Sequence, residues 1–556
     1  ADAISVEEYL RAAPTLFWHG HLMDNPAYTM DASSFEIVHD FYGSEDGAGE
    51  GGLAIRIHTD SYWDDLPENQ RPFYVREVTI PITLPEGVHT GASPVVDDAR
   101  LPKAVFDLLA GLAGVGSVSE AGDTITELPS IVAGSADTAH PFGVARTSFH
   151  FPASLLQAHT AVTGAALGTD VPFGTPDALV GPCWPAIYTA LGSATLADGY
   201  PVIEGLLNAV HLDHLIALAP GADLHSLADG RELAVTSWCS GIEESVSGRI
   251  VTVELRIEDR EGAVVKQMHR FAIRGRATTS TPPSTAPEFG GVDAAIEATP
   301  RSFVDRATVT APADMTPFAL VSGDYNPIHT SYNASGLVGL AAPLVHGMWL
   351  SATAQHLAGR HGRVSGWTYS MYGMVQLGDE VELTVERVGR AGIRPALEVT
   401  CRIAGEVVSR GQALLAQPAT AYLYPGQGIQ SEGMGAGDRA ASPAAREIWL
   451  RADAHTRDNL GFSIQRIVDA NPTELTVRGE MFKHPEGVLH LTQFTQVALA
   501  VVAYAQTTRL RDADALATGA MYAGHSLGEY TALASLGNIF DLESVIDVVY
   551  TGCSSM

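Results

Sequence analysis

The chain has 556 residues, 46% of them hydrophobic, with 33 basic against 64 acidic side chains and a formal charge of −31. That length predicts three to four domains with full-sized cores. So acidic a balance argues against a nucleic-acid backbone or an anionic membrane as partner, because either needs a basic face. Cys183, Cys239, Cys401 and Cys553 are isolated from one another, with neither Cys-x-x-Cys spacing nor the density of a disulfide scaffold, which fits a reducing cytoplasm. No uninterrupted apolar run reaches the length of a membrane span, and the acidic start lacks the pattern of a signal peptide. The missing initiator Met and the end at Met556 lead to the expectation of a piece of something longer.

In chain order, residues 1–135 read as a linking, hot-dog-like region: a short helical stretch to about 30, then alternating strands with one helix around Lys103 to Leu112. Residues 136–277 carry an apolar helix at Trp184 to Leu191 and strands that end in a hairpin, Val251 to Val265, with Gly262 near its turn. A polar, Pro-rich linker follows at 278–290. Over 291–418 the same order returns: an apolar helix from His346 to Leu357, then strands ending in a hairpin at Ala396 to Val408. This recurrence predicts an internal duplication. A long apolar helix wrapped by antiparallel strands is the hot-dog arrangement, so the expected class is α+β, with tandem hot-dog folds. Residues 419–556 change character, with a strand at Tyr422 to Tyr424, a Pro-Gly loop, helices, and a strand and turn at Met521 to Gly528. That pattern begins an α/β domain, predicted to be incomplete.

The run from Phe318 to Ser335 contains Gly-Asp-Tyr-Asn-Pro-Ile-His at 323–329. Its turn signals, and the proline that biases Asn326 toward extended geometry, keep Asp324 and His329 off any one continuous helix and place them on a loop, as an acid/base site requires. One alternative is that Asp324 and Asn326 cap a helix while His329 is a core histidine. A metal site finds no second well-spaced ligand near His329, so none is expected. His211 and His214, in V-H-L-D-H-L, are a weaker ligand pair that reads equally as core positions on a helix or strand.

Together with Pro-Leu-Val-His-Gly-Met at 343–348, the 323–329 run resembles the MaoC-like hydratases and dehydratases. The resemblance implies removal of water from a 3-hydroxyacyl thioester, which needs a base for the C2 proton, an acid for the leaving hydroxyl and stabilisation of the enolate-like oxygen. Asp324 and His329 would share the proton transfers. The Gly347 N–H, at the helix start, would hold the thioester carbonyl, and Asn326, Pro327 and His346 would shape the substrate site. The first hot-dog copy, lacking a counterpart to Asp324, is expected to be a structural wall.

Gly524-His525-Ser526-Leu527-Gly528 is a G-x-S-x-G elbow, and Tyr424-Pro425-Gly426-Gln427-Gly428 precedes it by roughly a hundred residues. The pair resembles the start of a malonyl-type acyltransferase. It implies Ser526 as nucleophile and the backbone N–H groups of Gln427 and Leu527 as oxyanion donors. The family's downstream histidine base and carboxylate-binding arginine have no counterpart after Ser526 in this sequence. The transferase part is therefore expected to be inactive alone, and His484 and His490 are poor replacement bases.

This order of parts is similar to that of type I fatty acid synthases of the fungal and actinobacterial kind. The resemblance implies a (3R)-3-hydroxyacyl substrate on the phosphopantetheine of an acyl carrier protein, and partners in that carrier and the other synthase domains within a large homo-oligomer. No flavin or nicotinamide fingerprint appears in this stretch, so no cofactor is expected in it. A free-standing enoyl-CoA hydratase and a non-catalytic scaffold segment are the competing readings.

Overall fold

The computed structural model describes residues 140–554 apart from 169–170, 172–173, 195–208, 246–247, 274–291, 293, 331, 333–334, 336–339 and 537–538, together with five strands nearer the N-terminus. Those strands are β1 (Phe35–Phe41), β2 (Gly52–His58), β3 (Glu77–Thr83), β4 (Val95–Val96) and β5 (Ile131–Val132). The first four pair in that order as an antiparallel sheet. The helices expected before 30 and around Lys103, and the linker at 278–290, lie outside the described residues.

Ten further strands join β5 in one sheet: β6 (Val144–Pro152), β7 (Ala209–Leu218), β8 (Asp229–Ser245), β9 (Gly248–Asp259), β10 (Gly262–Ile273), β11 (Glu297–Thr310), β12 (Val364–Met371), β13 (Glu380–Ala391), β14 (Arg394–Ile403) and β15 (Glu406–Leu415). The spatial order is β11-β13-β14-β15-β12-β7-β10-β9-β8-β6-β5. Read outward from the centre, one half runs β7-β10-β9-β8-β6 and the other β12-β15-β14-β13-β11. Each half therefore places its strands in the same chain order, first strand outermost and second at the seam. The duplication is thus topological as well as sequential. The seam is the antiparallel pairing of β7 with β12, with Ile216 opposite Trp367 and His214 opposite Tyr369.

Alternation explains which face is covered. Val251, Val253, Leu255 and Ile257 of β9 and Val381, Leu383 and Val385 of β13 occupy every second position and are fully buried, as the two-residue period of a strand requires. The hairpin between β9 and β10 turns on Asp259, whose Oδ1 accepts the N–H groups of Glu261 at 2.8 Å and Gly262 at 3.2 Å.

Each half carries a preceding helix and a central one: α1 (Ala153–Gly164) and α2 (Trp184–Ser193), then α3 (Thr316–Ser322) and α4 (Gly347–Gly359). Every residue of α4 after Gly347 is buried, as expected of a helix wrapped by a sheet rather than resting on it. The fold is the α+β hot-dog arrangement, present twice.

From Gln417 onward the chain folds into a second compact unit. It holds β16 (Ala421–Tyr424), α5 (Pro443–His455), β17 (Glu474–Val477), β18 (Glu480–Lys483), α6 (Thr492–Asp512), β19 (Met521–Gly524), α7 (Leu527–Ser535) and α8 (Leu542–Ser554). Its core gathers Trp449, Ile464, Phe494, Val497, Val545 and Ile546. β16 and β19 pair in parallel, Tyr424 opposite Gly524, which brings the two loops at their C-terminal ends side by side.

Candidate active site

Helix α3 stops at Gly323, whose left-handed φ of 66° returns its N–H to the Ala319 carbonyl at 3.0 Å. Glycine takes that conformation without the strain a Cβ would add. The next residue, Asp324, is thereby turned into the interior. Its Oδ1 accepts the Asn326 N–H at 2.9 Å, and Asn326 Oδ1 in turn accepts the Ile328 N–H at 3.2 Å. Asn326 thus shapes the turn, and the backbone of Pro327 opens the short 3-10 turn that ends at His329.

Asp324 Oδ2 lies 2.6 Å from His346 Nε2. Both residues are buried. His346 caps α4, and its Nδ1 accepts the Met348 N–H at 3.1 Å; with Nδ1 an acceptor, the proton sits on Nε2 and is donated to Asp324. His329 is held differently. Its Nδ1 is 3.0 Å from the Leu344 carbonyl, which can only accept, so Nδ1 carries the proton and Nε2 presents a lone pair. The His329 and His346 ring centroids are 4.3 Å apart. The direct imidazole partner of Asp324 is therefore His346, read from sequence as a substrate-site residue, while His329 stands beside the pair with its basic nitrogen uncommitted to that bond.

Electrostatics follow from these contacts. Burial alone would raise the Asp324 carboxyl, but the charge and hydrogen bond of His346, then His329 and the Asn326 N–H, bring it below its ordinary value. Asp324 is an anion at neutral pH. Burial pushes His329 down to about 3, with His346 adding to the shift, against opposing pulls from Asp324 and the Leu344 carbonyl. Although the His329 side chain stays partly accessible, its ring is neutral at pH 7.

Gly347 opens α4, where the first N–H groups have no acceptor within the helix and the dipole favours negative charge. A Cβ at Gly347 would sit 2.2 Å from Met371 Sδ, so a side chain there would have to displace the Met371 thioether.

The first half reaches the same place. Leu179-Val180-Gly181-Pro182-Cys183-Trp184 leads into α2 as Leu344-Val345-His346-Gly347-Met348-Trp349 leads into α4, which begins three residues into that run, at Gly347. Gly181 stands where the second half has His346, which accounts for the absence of a matching pair there. A Cβ on Gly181 would meet the Ser322 carbonyl oxygen at 2.4 Å, so this glycine lets the first half rest on the turn that carries Asp324. One turn into α2, the Tyr188 hydroxyl lies 3.5 Å from Asp324 Oδ1. Sequence reasoning misses Tyr188; the repeated Leu-Val-x-x-x-Trp is the available signal that α2 and α4 are counterparts.

His211 and His214 lie on β7, His214 fully buried and His211 partly so. His214 Nε2 bonds Asp177 Oδ1 at 3.0 Å, and Ser351 Oγ of α4 donates to Asp177 Oδ2 at 2.6 Å. Trp367 Nε1 donates to Ser351 Oγ at 2.9 Å. His211 Nε2 is 3.3 Å from His269 Nδ1. Among the described residues no group of three His, Cys, Asp or Glu is arranged to hold a metal ion.

In the second unit Ser526 sits between β19 and α7 at φ 54° and ψ −112°, a conformation L-residues avoid. The glycines around it are obligatory: a Cβ on Gly524 would lie 2.1 Å from Gly528 C, and one on Gly528 would lie 2.0 Å from the Tyr424 carbonyl oxygen. The loop that starts at Pro425 therefore packs against the elbow. Leu527, the next residue after Ser526, is buried, while the Gln427 side chain is engaged with Thr492 and Gln496. His484 and His490 stack on each other at 5.7 Å.

Three family models match the chain: the SBS domain of fatty acid synthase over residues 9–115, a MaoC-like domain over 293–406 and an acyl transferase domain over 421–555. Among curated proteins it is 34% identical to fatty acid synthase beta subunit stcK of Emericella nidulans, aligning 43% of this chain with 15% of that one. It is 33% identical to fatty acid synthase subunit beta of Saccharomyces cerevisiae, aligning 43% of this chain with 14% of that one. The match thus spans about one-seventh of the length of these relatives. Among solved structures, a MaoC-like dehydratase from Phytophthora capsici aligns with 51% of this chain and 99% of its own, at 16% identity and a TM-score of 0.41.

Fold, site and family models together define a MaoC-like hot-dog protein joined to an acyl transferase domain. With the SBS domain ahead of both, and fungal beta subunits as relatives, the chain is type I fatty acid synthase beta-subunit-like.

Proposed function

We propose that the MaoC-like part removes water from a (3R)-3-hydroxyacyl thioester carried on the phosphopantetheine of an acyl carrier protein, leaving a trans-2-enoyl thioester, as one step of fatty acid synthesis inside a multienzyme. The observation that carries this reading is His329 Nε2, which makes no hydrogen bond among the described residues, on a ring set 4.3 Å from the His346 ring that binds Asp324 at the start of α4. In the mechanism, the Gly347 N–H and the α4 dipole hold the thioester carbonyl, lowering the cost of the enolate that forms when C2 loses its proton. His329 Nε2 takes that proton. The resulting imidazolium is stabilised by the Asp324 anion, whose field already favours the charged form of His329.

Because Asp324 is held ionised by His346, it has no proton to give to the departing hydroxyl; it instead accepts a hydrogen bond from it. The imidazolium of His329 returns its proton as the C3–O bond breaks, releasing water and restoring neutral His329. One imidazole then serves as base and acid, which differs from the division in which Asp324 is the acid. A base this weak makes the carbonyl contact essential, since poor proton affinity has to be offset by enolate stabilisation.

The test is hydration of crotonyl-CoA, the reverse reaction, by the purified chain and its His329→Ala and Asp324→Ala variants. Loss of at least about 100-fold in each variant, with unchanged circular dichroism, is expected for groups acting directly in proton transfer. A folded wild-type chain that hydrates neither crotonyl-CoA nor a crotonyl carrier protein would sink the reading.

The strained, exposed Ser526 supports one half-reaction of acyl transfer, formation of a serine ester with the Gln427 and Leu527 N–H groups around the oxyanion, without the turnover that this part is not expected to sustain alone. An intact-mass gain of one acyl group after incubation with malonyl-CoA, absent in Ser526→Ala, is the check.

A further inference from the structure

The dehydratase reading places all its chemistry in the second hot-dog half, yet the structure puts two residues of the first half against the Asp324 turn, one of them braced by a third. Gly181 meets the Ser322 carbonyl so closely that no side chain fits between them. Trp184 stacks on Tyr188 with ring centroids 5.3 Å apart and an interplanar angle of 19°, which fixes the direction of the phenol. The Tyr188 hydroxyl, fixed in this way, is 3.5 Å from Asp324 Oδ1. That is a long hydrogen bond, at the outer edge of useful geometry, but among the described residues Oδ1 has one other donor, the Asn326 N–H, while Oδ2 faces His346.

We propose that the candidate centre is completed across the two halves, with Tyr188 of the first half a positioning residue that holds the Asp324 carboxylate and, through it, the His346 imidazole. This rests on the dehydratase reading. The Asn326 N–H and His346 put one donor on each carboxylate oxygen from the second half. The Tyr188 hydroxyl adds a second donor on Oδ1 from the first half, which further restrains rotation about the Cβ–Cγ bond and sets the angle at which the remaining lone pair meets a substrate hydroxyl. The phenol is suited to the task because burial, then the Asp324 charge and hydrogen bond, raises its proton affinity well above the usual tyrosine range, so it stays a donor. The other titratable groups facing the carboxylate are His346 and His329 of its own half and His211 on β7, which senses both Asp324 and His346. The first half is thus a working part of the site: one half supplies the acid/base turn and the other its support.

The experiment uses the full chain and Tyr188→Phe, which removes one oxygen and keeps the ring stacked on Trp184. With crotonyl-CoA and (3R)-3-hydroxybutyryl-CoA, kcat is expected to fall roughly tenfold, the effect of losing one hydrogen bond to a charged group, while KM stays within about twofold because no substrate contact is removed. In chain labelled with 15N-histidine, the His346 Nε2 proton resonance should move downfield in the variant, as Asp324 then keeps only the Asn326 N–H on Oδ1 and leans more on His346. Wild-type kcat in Tyr188→Phe would overturn the proposal. Should the wild-type chain convert neither thioester nor a crotonyl carrier protein, the dehydratase reading fails and the resonance decides Tyr188 by itself: a shift supports the contact, an unmoved signal removes it.

Discussion

His329 can serve as a base at neutral pH because burial and the neighbouring His346 keep its ring uncharged, lowering it to about 3 from an ordinary 6.5. A free-enzyme profile reports the ionisations of the groups that react. For crotonyl-CoA hydration we therefore expect kcat/KM to be flat from pH 8 down to about 5.5, with the acid limb below that. A limb centred near the ordinary histidine value of about 6.5 would show that the ring is solvated and not held neutral by burial. At Ser526 the strain has a measurable counterpart. Ser526→Gly relieves a backbone conformation that costs about 1–3 kcal/mol, offset by about 0.5–1 kcal/mol of glycine entropy. The urea midpoint of that unit should rise while serine acylation disappears. Asp324 and His329 were legible from sequence because five residues and two turn signals bring them to one loop. His346 as the partner of Asp324, and Tyr188, were not. Neither the His-Gly step before a helix nor a tyrosine inside an apolar helix says which carboxylate lies opposite.

Helices and strands are joined across the seam by a buried polar link. Asp177 of the first half accepts from His214 on β7 and from Ser351 on α4, and burial, which would raise its carboxyl, is overcome chiefly by His214 and then by Ser351 and Gln355. Removing one partner of a buried ionic pair leaves the others desolvated and unpaired, at a cost of about 3–5 kcal/mol. Asp177→Ala should show that loss as a lowered urea midpoint followed by near-UV circular dichroism; a change under about 1 kcal/mol, far below that cost, would mean that water reaches the network. A second, steric test of the same layer is Gly411→Ala on β15, where the added Cβ would lie 2.2 Å from the fully buried Trp367 ring. Overpacking of this kind costs about 1–3 kcal/mol. Periodicity made these strands readable, since Val251, Val253, Leu255 and Ile257 alternate inward in plain sequence. Alternation does not reveal that β7 and β12 are neighbours, because pairing between halves depends on packing of faces rather than on local pattern.

Over the whole molecule, the acidic formal charge of −31 conceals a set of histidines kept neutral in the interior. His159 is lowered to about 4 and His329 to about 3, while His211 and His269 lie well below their ordinary value, burial being the first cause in each. The unfolded chain protonates these rings near pH 6.5, whereas the folded chain resists until far lower pH. Stability from this source is therefore complete above about pH 6.5 and is lost as pH falls toward the folded values. By linkage, His159 alone forfeits roughly 2 kcal/mol at pH 5, and the others act in the same direction. Urea unfolding at pH 7.5 and 5.0 should show the hot-dog unit weakened by several kcal/mol, and His159→Gln should reduce the difference. Equal midpoints at the two pH values would mean that these rings are hydrated in the folded state.

The amino-acid sequence by itself determined the local chemistry: an Asp-x-Asn-Pro-x-His turn, a Gly-x-Ser-x-Gly elbow, two apolar helices each followed by alternating strands, and hence the hot-dog class. These are properties of residues within one turn or one period of each other, where backbone geometry leaves few choices. Only the tertiary structure decided that His346 rather than His329 bonds Asp324, that β7 and β12 close two half-sheets into one, and that Tyr188 reaches the acid/base turn. Such contacts join elements far apart in the chain. Hydrogen-bond partners are selected by distance and direction in space, which no local pattern of residues encodes.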